Sequence, residues 1–213
     1  MLNNRKIDHV HTLLRAPVWL SLSLLALVAC TAATPLNSER IAATFGSYEV
    51  RVLDATAERR ISSLESVEDG RPVTRTLAIV TFEPGAASAI TDLHARIVDG
   101  ASIGATFRDA GWDIDKPLLG IDEVRIPQSS LAMATLMNVS LPITAGLHAY
   151  QFNIRKDDVS VHYATIVEVH HPDYLSVADL ERIYGQTTQL AATARFKQDA
   201  LAAMERLASR LAD

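Results

Sequence analysis

The sequence predicts an α+β domain, an antiparallel sheet of hairpins with helices packed on one face and a long amphipathic helix at the C-terminus. Three observations carry that prediction. Segments alternating apolar and polar residues flank Asp69-Gly70 and Asp157-Asp158, and an Asp-Gly pair between alternating runs is a strong hairpin signal. Segments of helical period lie between and after these runs, the last spanning Gln189 to Leu211. Strands therefore come in runs, without the strict strand-helix alternation of a parallel sheet.

In chain order, Ser38 is placed to cap a short helix over residues 39–45 (ERIAATF), with Gly46 as its left-handed stop. From Tyr48 the period becomes two. YEVRVLD, RRISSLESVE and VTRTLAIVTFE form a three-stranded meander closed by Pro84-Gly85. Ile90, Leu93, Ile97 and Val98 share one side of a helix that Asp99-Gly100 ends, and a second short helix from Ser102 to Ala110 stops at Gly111. Trp112 to Ile114 and Leu118 to Ile126 read as strands. Pro127 to Pro142, apolar and rich in Met and Ala, fits either a short helix or a core-filling loop.

The clearest element is the hairpin of LHAYQFNIRK and VSVHYATIVEVHH. With Lys156 opposite Val159, its core face carries Tyr150, Phe152, Ile154, Tyr163, Val167 and Val169. Gln151, Asn153, His162, Glu168 and His170 then fall on a solvent face. Beyond Pro172, Ser176 and Asp179 resemble a capping box with Asp in place of Glu, opening the helix VADLERIYG. The last helix sets Leu190, Ala194, Leu201, Met204, Leu207, Ala208 and Leu211 on one arc, opposite Arg195, Asp199, Arg206 and Arg210.

The first thirty residues do not fit this domain. Arg5, Lys6 and Arg15 make a basic start, and Val18 to Ala29 is a run of twelve uncharged, mostly apolar residues. A membrane-spanning helix needs roughly 20, so the layout is that of a secretory signal; a buried core helix is the other reading. At Leu27-Val28-Ala29-Cys30 the chain resembles the lipobox of bacterial lipoproteins, and Cys30 is the only cysteine in the chain. The resemblance implies cleavage before Cys30, a diacylglyceryl thioether on its sulfur and an acylated new N-terminus. Three acyl chains hold a protein to a bilayer almost irreversibly, whereas one does not.

These readings divide the chain into a signal peptide (1–29), a lipidated tether (30–37) and one periplasmic domain (38–213). Thr31 in second mature position implies, by the family's sorting rule, the inner leaflet of the outer membrane. Without residues 1–29, 17 basic residues face 24 acidic ones, a net charge of -7. An acidic domain is a poor binder of nucleic acid or anionic headgroups. Its membrane contact is then the lipid on Cys30.

Two segments invite chemistry. Gly100-Ala101-Ser102-Ile103-Gly104 matches G-x-S-x-G, the elbow that lifts a nucleophilic serine off a strand in α/β-hydrolases. Here the preceding segment reads as a helix, so the simpler reading of Ser102 is a helix cap. The second is a metal site of Glu168 and His170, with Asp173 folding back from the His-His-Pro-Asp segment, since imidazole and carboxylate are zinc ligands. His162 lies about 20 Å from Glu168 along an extended strand, too far to share an ion. Polar residues on a solvent face need no such role. His94 and His148 stand alone and read as structural, His171 points inward at the strand's end, and no cofactor is indicated.

The mature domain looks like the uncharacterised envelope lipoproteins of proteobacteria. The function expected is a non-enzymatic module that binds an envelope protein or an apolar ligand at the membrane surface, through residues 128–142 and the last helix. The alternative is an envelope serine or metal-dependent hydrolase using Ser102 or the Glu168/His170 cluster.

Overall fold

Antiparallel pairing organises the chain. The structure, a computed structural model, describes residues 35–185 and 190–210. The first helix, α1 (Asn37–Phe45), starts two residues earlier than expected: Leu36 is the N-cap, and its N–H donates to the Glu39 carboxylate at 2.8 Å. Ser38 therefore lies within the helix rather than at its cap. Gly46, at φ 77°, ends it as expected.

The meander follows as β1 (Glu49–Ala55), β2 (Arg59–Glu68) and β3 (Arg71–Phe82). Asp69 and Gly70 both have positive φ, 50° and 76°, the mirror-image turn whose twist suits a hairpin. After a 3-10 turn come α2 (Thr91–Val98), α3 (Ile103–Asp109), β4 (Asp113–Asp115) and β5 (Leu118–Ile126). The ambiguous segment contains a helix, α4 (Leu131–Met137), stopped by Asn138 in the left-handed conformation at φ 53°. The remaining elements are β6 (Ile143–Lys156), β7 (Val159–His170), α5 (Val177–Tyr184) and α6 (Leu190–Arg210).

Among the described residues seven strands form one sheet in the order β1-β2-β3-β7-β6-β4, with β5 pairing along another stretch of β6. Every pairing is antiparallel, so the fold is the α+β class that the sequence predicts.

One irregularity decides what the central hairpin does. Lys156 pairs with Val159 and Asn153 with His162, as expected, but Phe152 pairs with Ala164. The extra residue on β7 is a β-bulge, and past it the pairing parity flips. Tyr150 thus lies opposite Ile166, and His148 opposite Glu168. The expected face assignment fails at this point: Val167 and Val169 share a face with Leu147 and Ala149, while Glu168 and His170 join Tyr150.

Along Leu147 to Tyr150 and Ile166 to His170 neither face of this hairpin is wet, whereas Gln151, Asn153 and His162, nearer the turn, are half-exposed. Val167, Val169, Leu77 and Ile79 pack with Met133 and Met137 of α4 and with Met204 and Leu207 of α6. On the other face Phe82, Phe152, Tyr163 and Ile166 pack with Ile97 of α2 and Phe107 of α3, and α1 covers Leu64 and Ala78 through Ile41. Each fully buried side chain of this size contributes roughly 1.5–3 kcal/mol. Glu168 and His170, expected in solvent, are 4% and 0% exposed, because α1 closes over them.

The buried arc of α6 is Thr193, Phe196, Ala200, Ala203, Met204 and Leu207, with Leu201 and Ala208 at its edge and Ala194 exposed. The helix is turned relative to the expected arc because it presses on β5: a Cβ on Gly120 would stand 2.5 Å from Thr193 Cγ2. Leu211 and the side chain of Leu190 lie outside the described residues.

Candidate functional site

The site is built across three adjacent central strands, β3, β7 and β6. Cross-strand partners on one face are Thr76 with His170 and Glu168 with His148. Their side chains meet. His148 Nδ1 and His170 Nε2 are 2.9 Å apart and share a hydrogen bond, and His170 Nδ1 lies 3.0 Å from Thr76 Oγ1. Glu168 Oε2 is 3.7 Å from His148 Nε2 and 3.9 Å from His170 Nε2.

Helices supply the surrounding partners. Asn37, the first residue of α1, donates through Nδ2 to Glu168 Oε2 at 2.9 Å and to Thr76 Oγ1 at 3.1 Å, and its Oδ1 accepts from Tyr174 at 2.7 Å. Tyr150 donates its hydroxyl to Glu168 Oε1 at 3.0 Å. Tyr184, from the last turn of α5, stacks on His148 at 4.6 Å, and Arg40 reaches over to donate to the Tyr184 hydroxyl. Lys116 lies with Nζ over the Tyr150 ring at 5.3 Å.

Burial sets the charges. It pushes His148 well below the usual imidazole range and His170 down to about 3, with Arg40 adding to both effects. Both rings are therefore neutral at pH 7, so their contacts with Glu168 are not ion pairs. Burial also raises the Glu168 carboxyl, against the pull of Lys116 and the hydrogen bonds from Tyr150 and Asn37. It lowers the Lys116 amine, which Glu168 acts to keep charged. Neutral imidazoles beside a carboxyl group are good ligands for a borderline-soft metal.

A cavity of about 50 Å³ opens beside this cluster, lined by Tyr48, Arg60, Ser102, Lys116, Glu168 and an apolar wall that includes Leu36, Phe152 and Ile166. Arg60 is buried, donates to the carbonyls of Ile97 and Ala101, and leaves its Nε without a partner among the described residues. Leu36 rests on α3 because Gly104 makes room: a Cβ there would stand 2.8 Å from Leu36 Cδ1.

The structure brings some of the expected site residues together and not others. Glu168 and His170 do meet. Asp173 does not join them; it is exposed, and its N–H donates to His171 Nδ1. Its place is taken by His148, which sequence reasoning sets aside as structural. His171 does point inward, 2.9 Å from the Met137 carbonyl oxygen. His162 stands apart, near Glu83.

Ser102 occupies the N-cap position of α3, and the segment before it is the helix α2 and its turn, not a strand. It lines the cavity together with Glu168, and among the described residues no histidine lines that cavity. Cys30 and the rest of the lipobox lie outside the described residues. Among those residues no helix is long and apolar enough to cross a membrane.

No family model, curated protein or solved structure matches this chain.

Proposed function

We propose that this chain is a lipid-anchored envelope lipoprotein whose domain is a non-enzymatic binding module. The Leu27-Val28-Ala29-Cys30 pattern supports the anchor. The cavity supports binding: its wall is apolar on the side of Leu36, Phe152 and Ile166 and polar on the side of Ser102, Lys116 and Glu168. A ligand with an apolar body and one polar end suits that division. At about 50 Å³ the cavity admits only a small group until Leu36 moves. Leu36 is part of the proposed tether, so anchor and cavity adjoin in sequence.

The anchor is tested by Cys30→Ala, which is expected to leave an unprocessed precursor and to abolish labelling by palmitate analogues. Unchanged labelling rejects it. Binding is tested by native mass spectrometry of the full chain extracted from its own envelope. A small-molecule adduct is expected, and Ser102→Trp, which fills the cavity, removes it.

A second reading, an envelope hydrolase, is favoured by one observation: Ser102 and Glu168 line the same cavity. Labelling of Ser102 by a fluorophosphonate, with no retained adduct, selects it over the binding module.

A further inference from the structure

We propose that His148, Glu168 and His170 bind one divalent transition-metal ion, with zinc as the fitting case. The proposal depends on neither the anchor nor an organic ligand in the larger cavity. Each residue offers one ligand atom, and the three atoms lie within 4.8 Å of one another. Donors held ~2.0–2.2 Å from a tetrahedral ion stand about 3.4 Å apart. The contacts of 2.9 Å between the imidazoles and 3.9 Å from His170 Nε2 to Glu168 Oε2 bracket that spacing. The remaining separation, between His148 and Glu168, is at most 4.8 Å, so closing on one ion draws Glu168 and His148 together by up to about 1.4 Å.

The surroundings are those of a ligand set. Metal-bound histidines are oriented by a hydrogen bond to the second ring nitrogen, and ligating carboxylates are themselves hydrogen-bonded. Thr76 Oγ1 stands 3.0 Å from His170 Nδ1 and, by accepting its proton, leaves Nε2 a free lone pair. Tyr150 and Asn37 hold the two oxygens of Glu168. The proton shared by the two imidazoles moves to the other nitrogen of His148 when the ion takes its place. Beside His148 and Glu168 lies a gap of about 10 Å³ that Lys116 and Tyr184 also line, about the size of one water molecule. A water molecule taken up there with the ion would complete a four-coordinate, two-histidine-one-carboxylate site.

Charge decides which metal. Lys116 and Arg40 both act on this cluster, and one carboxylate does not outweigh two cations. Magnesium and calcium, held mainly by oxygen ligands and charge, are therefore disfavoured. Zinc is held by its bonds to imidazole nitrogen.

The test uses the full chain purified in detergent, stripped with chelator, equilibrated with zinc chloride and freed of excess metal. Elemental analysis is expected to find one zinc per chain in the wild type and in Cys30→Ser and Asp173→Ala. His148→Gln should lose it, and Thr76→Val should bind ~10–100-fold more weakly. Equal zinc in wild type and a folded His148→Gln overturns the proposal. Should His148→Gln fail to fold, cobalt(II) in the wild type decides. The intense visible bands of four-coordinate cobalt without a thiolate charge-transfer band support the site. A weak six-coordinate spectrum, or a thiolate band from Cys30, overturns it.

Discussion

His148 and Glu168 stand directly opposite one another on β6 and β7, with Nε2 and Oε2 3.7 Å apart on a buried face of the sheet. The pair exists because β7 carries one residue more than β6 between the hairpin turn and Ala164. Without that residue Glu168 would face the apolar core that Met133, Met137, Met204 and Leu207 of α4 and α6 build. The bulge, the polar cluster and the position of α1 are therefore one structural fact.

The domain begins before Ser38. Leu36 and Asn37 are both buried, and Asn37 bonds Glu168, Thr76 and Tyr174. A chain starting at Ser38 should be less stable than one starting at Pro35 by about 3 kcal/mol, from lost leucine burial and from buried polar groups left without partners. Urea unfolding followed by circular dichroism measures it, and coincident midpoints would contradict the boundary.

Gly146→Ala should destabilise the fold by roughly 1–3 kcal/mol, the usual cost of forcing atoms into a packed site. A Cβ at this position would stand 2.7 Å from the Leu175 carbonyl oxygen, which is backbone and cannot swing aside. A variant melting at the wild-type temperature would show that the segment leading into α5 is not held against β6.

Ser176→Ala should cost about 1 kcal/mol. The Ser176 hydroxyl accepts from the Asp179 N–H at 3.2 Å, and the Asp179 carboxylate accepts from the Ser176 N–H at 3.0 Å. Since α5 carries Tyr184 onto His148, a frayed α5 also disturbs that ring. Histidine NMR resonances of the variant should move at His148 and stay in place at His162. No movement at either would separate the cap from the cluster.

Stability of the chelator-treated chain should fall as pH drops below 6.5. Above that value His170 is neutral both folded and unfolded. Below it the unfolded chain takes up a proton, whereas burial keeps the folded ring neutral down to about 3, so stability is lost across that window. The loss for this ring between pH 7.5 and pH 5 is about 2 kcal/mol, and His148 adds to it in the same direction. Glu168 acts oppositely. Its raised carboxyl favours the fold below the ordinary 4.5 and loses that contribution as pH rises through the folded value. Urea midpoints at the two pH values give the slope, which His170→Gln should flatten; an unchanged slope would place the titration elsewhere.

The sheet is legible where its determinants are local. Alternation together with Asp69-Gly70 and Asp157-Asp158 locates the hairpins, and Ser176 with Asp179 locates the start of α5. Sequence leaves α4 undecided because an apolar stretch of that length suits a loop or a helix until its neighbours are known. The cluster is half legible: Glu168 and His170 stand out as a pair, but with Asp173 and in solvent.

What conceals His148 is parity. Counting back from the turn without a bulge sets His148 opposite Val167 and Glu168 opposite Leu147, on different faces of the sheet. One inserted residue brings His148 and Glu168 together, and nothing in the run VSVHYATIVEVHH marks where it belongs. Asn37 is hidden for a different reason. Its setting among small polar residues and Pro35 has the composition of a tether, and its burial depends on Thr76 and Glu168, far along the chain.

The bulge also separates two kinds of genetic change. Replacing one side chain between Asp157 and Tyr163 alters a local contact, whereas deleting one codon there would exchange inside for outside along the rest of β7. Val167 and Val169 would be driven toward α1, and Glu168 and His170 into the methionines of α4 and α6. Mutational libraries of this hairpin should accordingly accept many substitutions and almost no change of length.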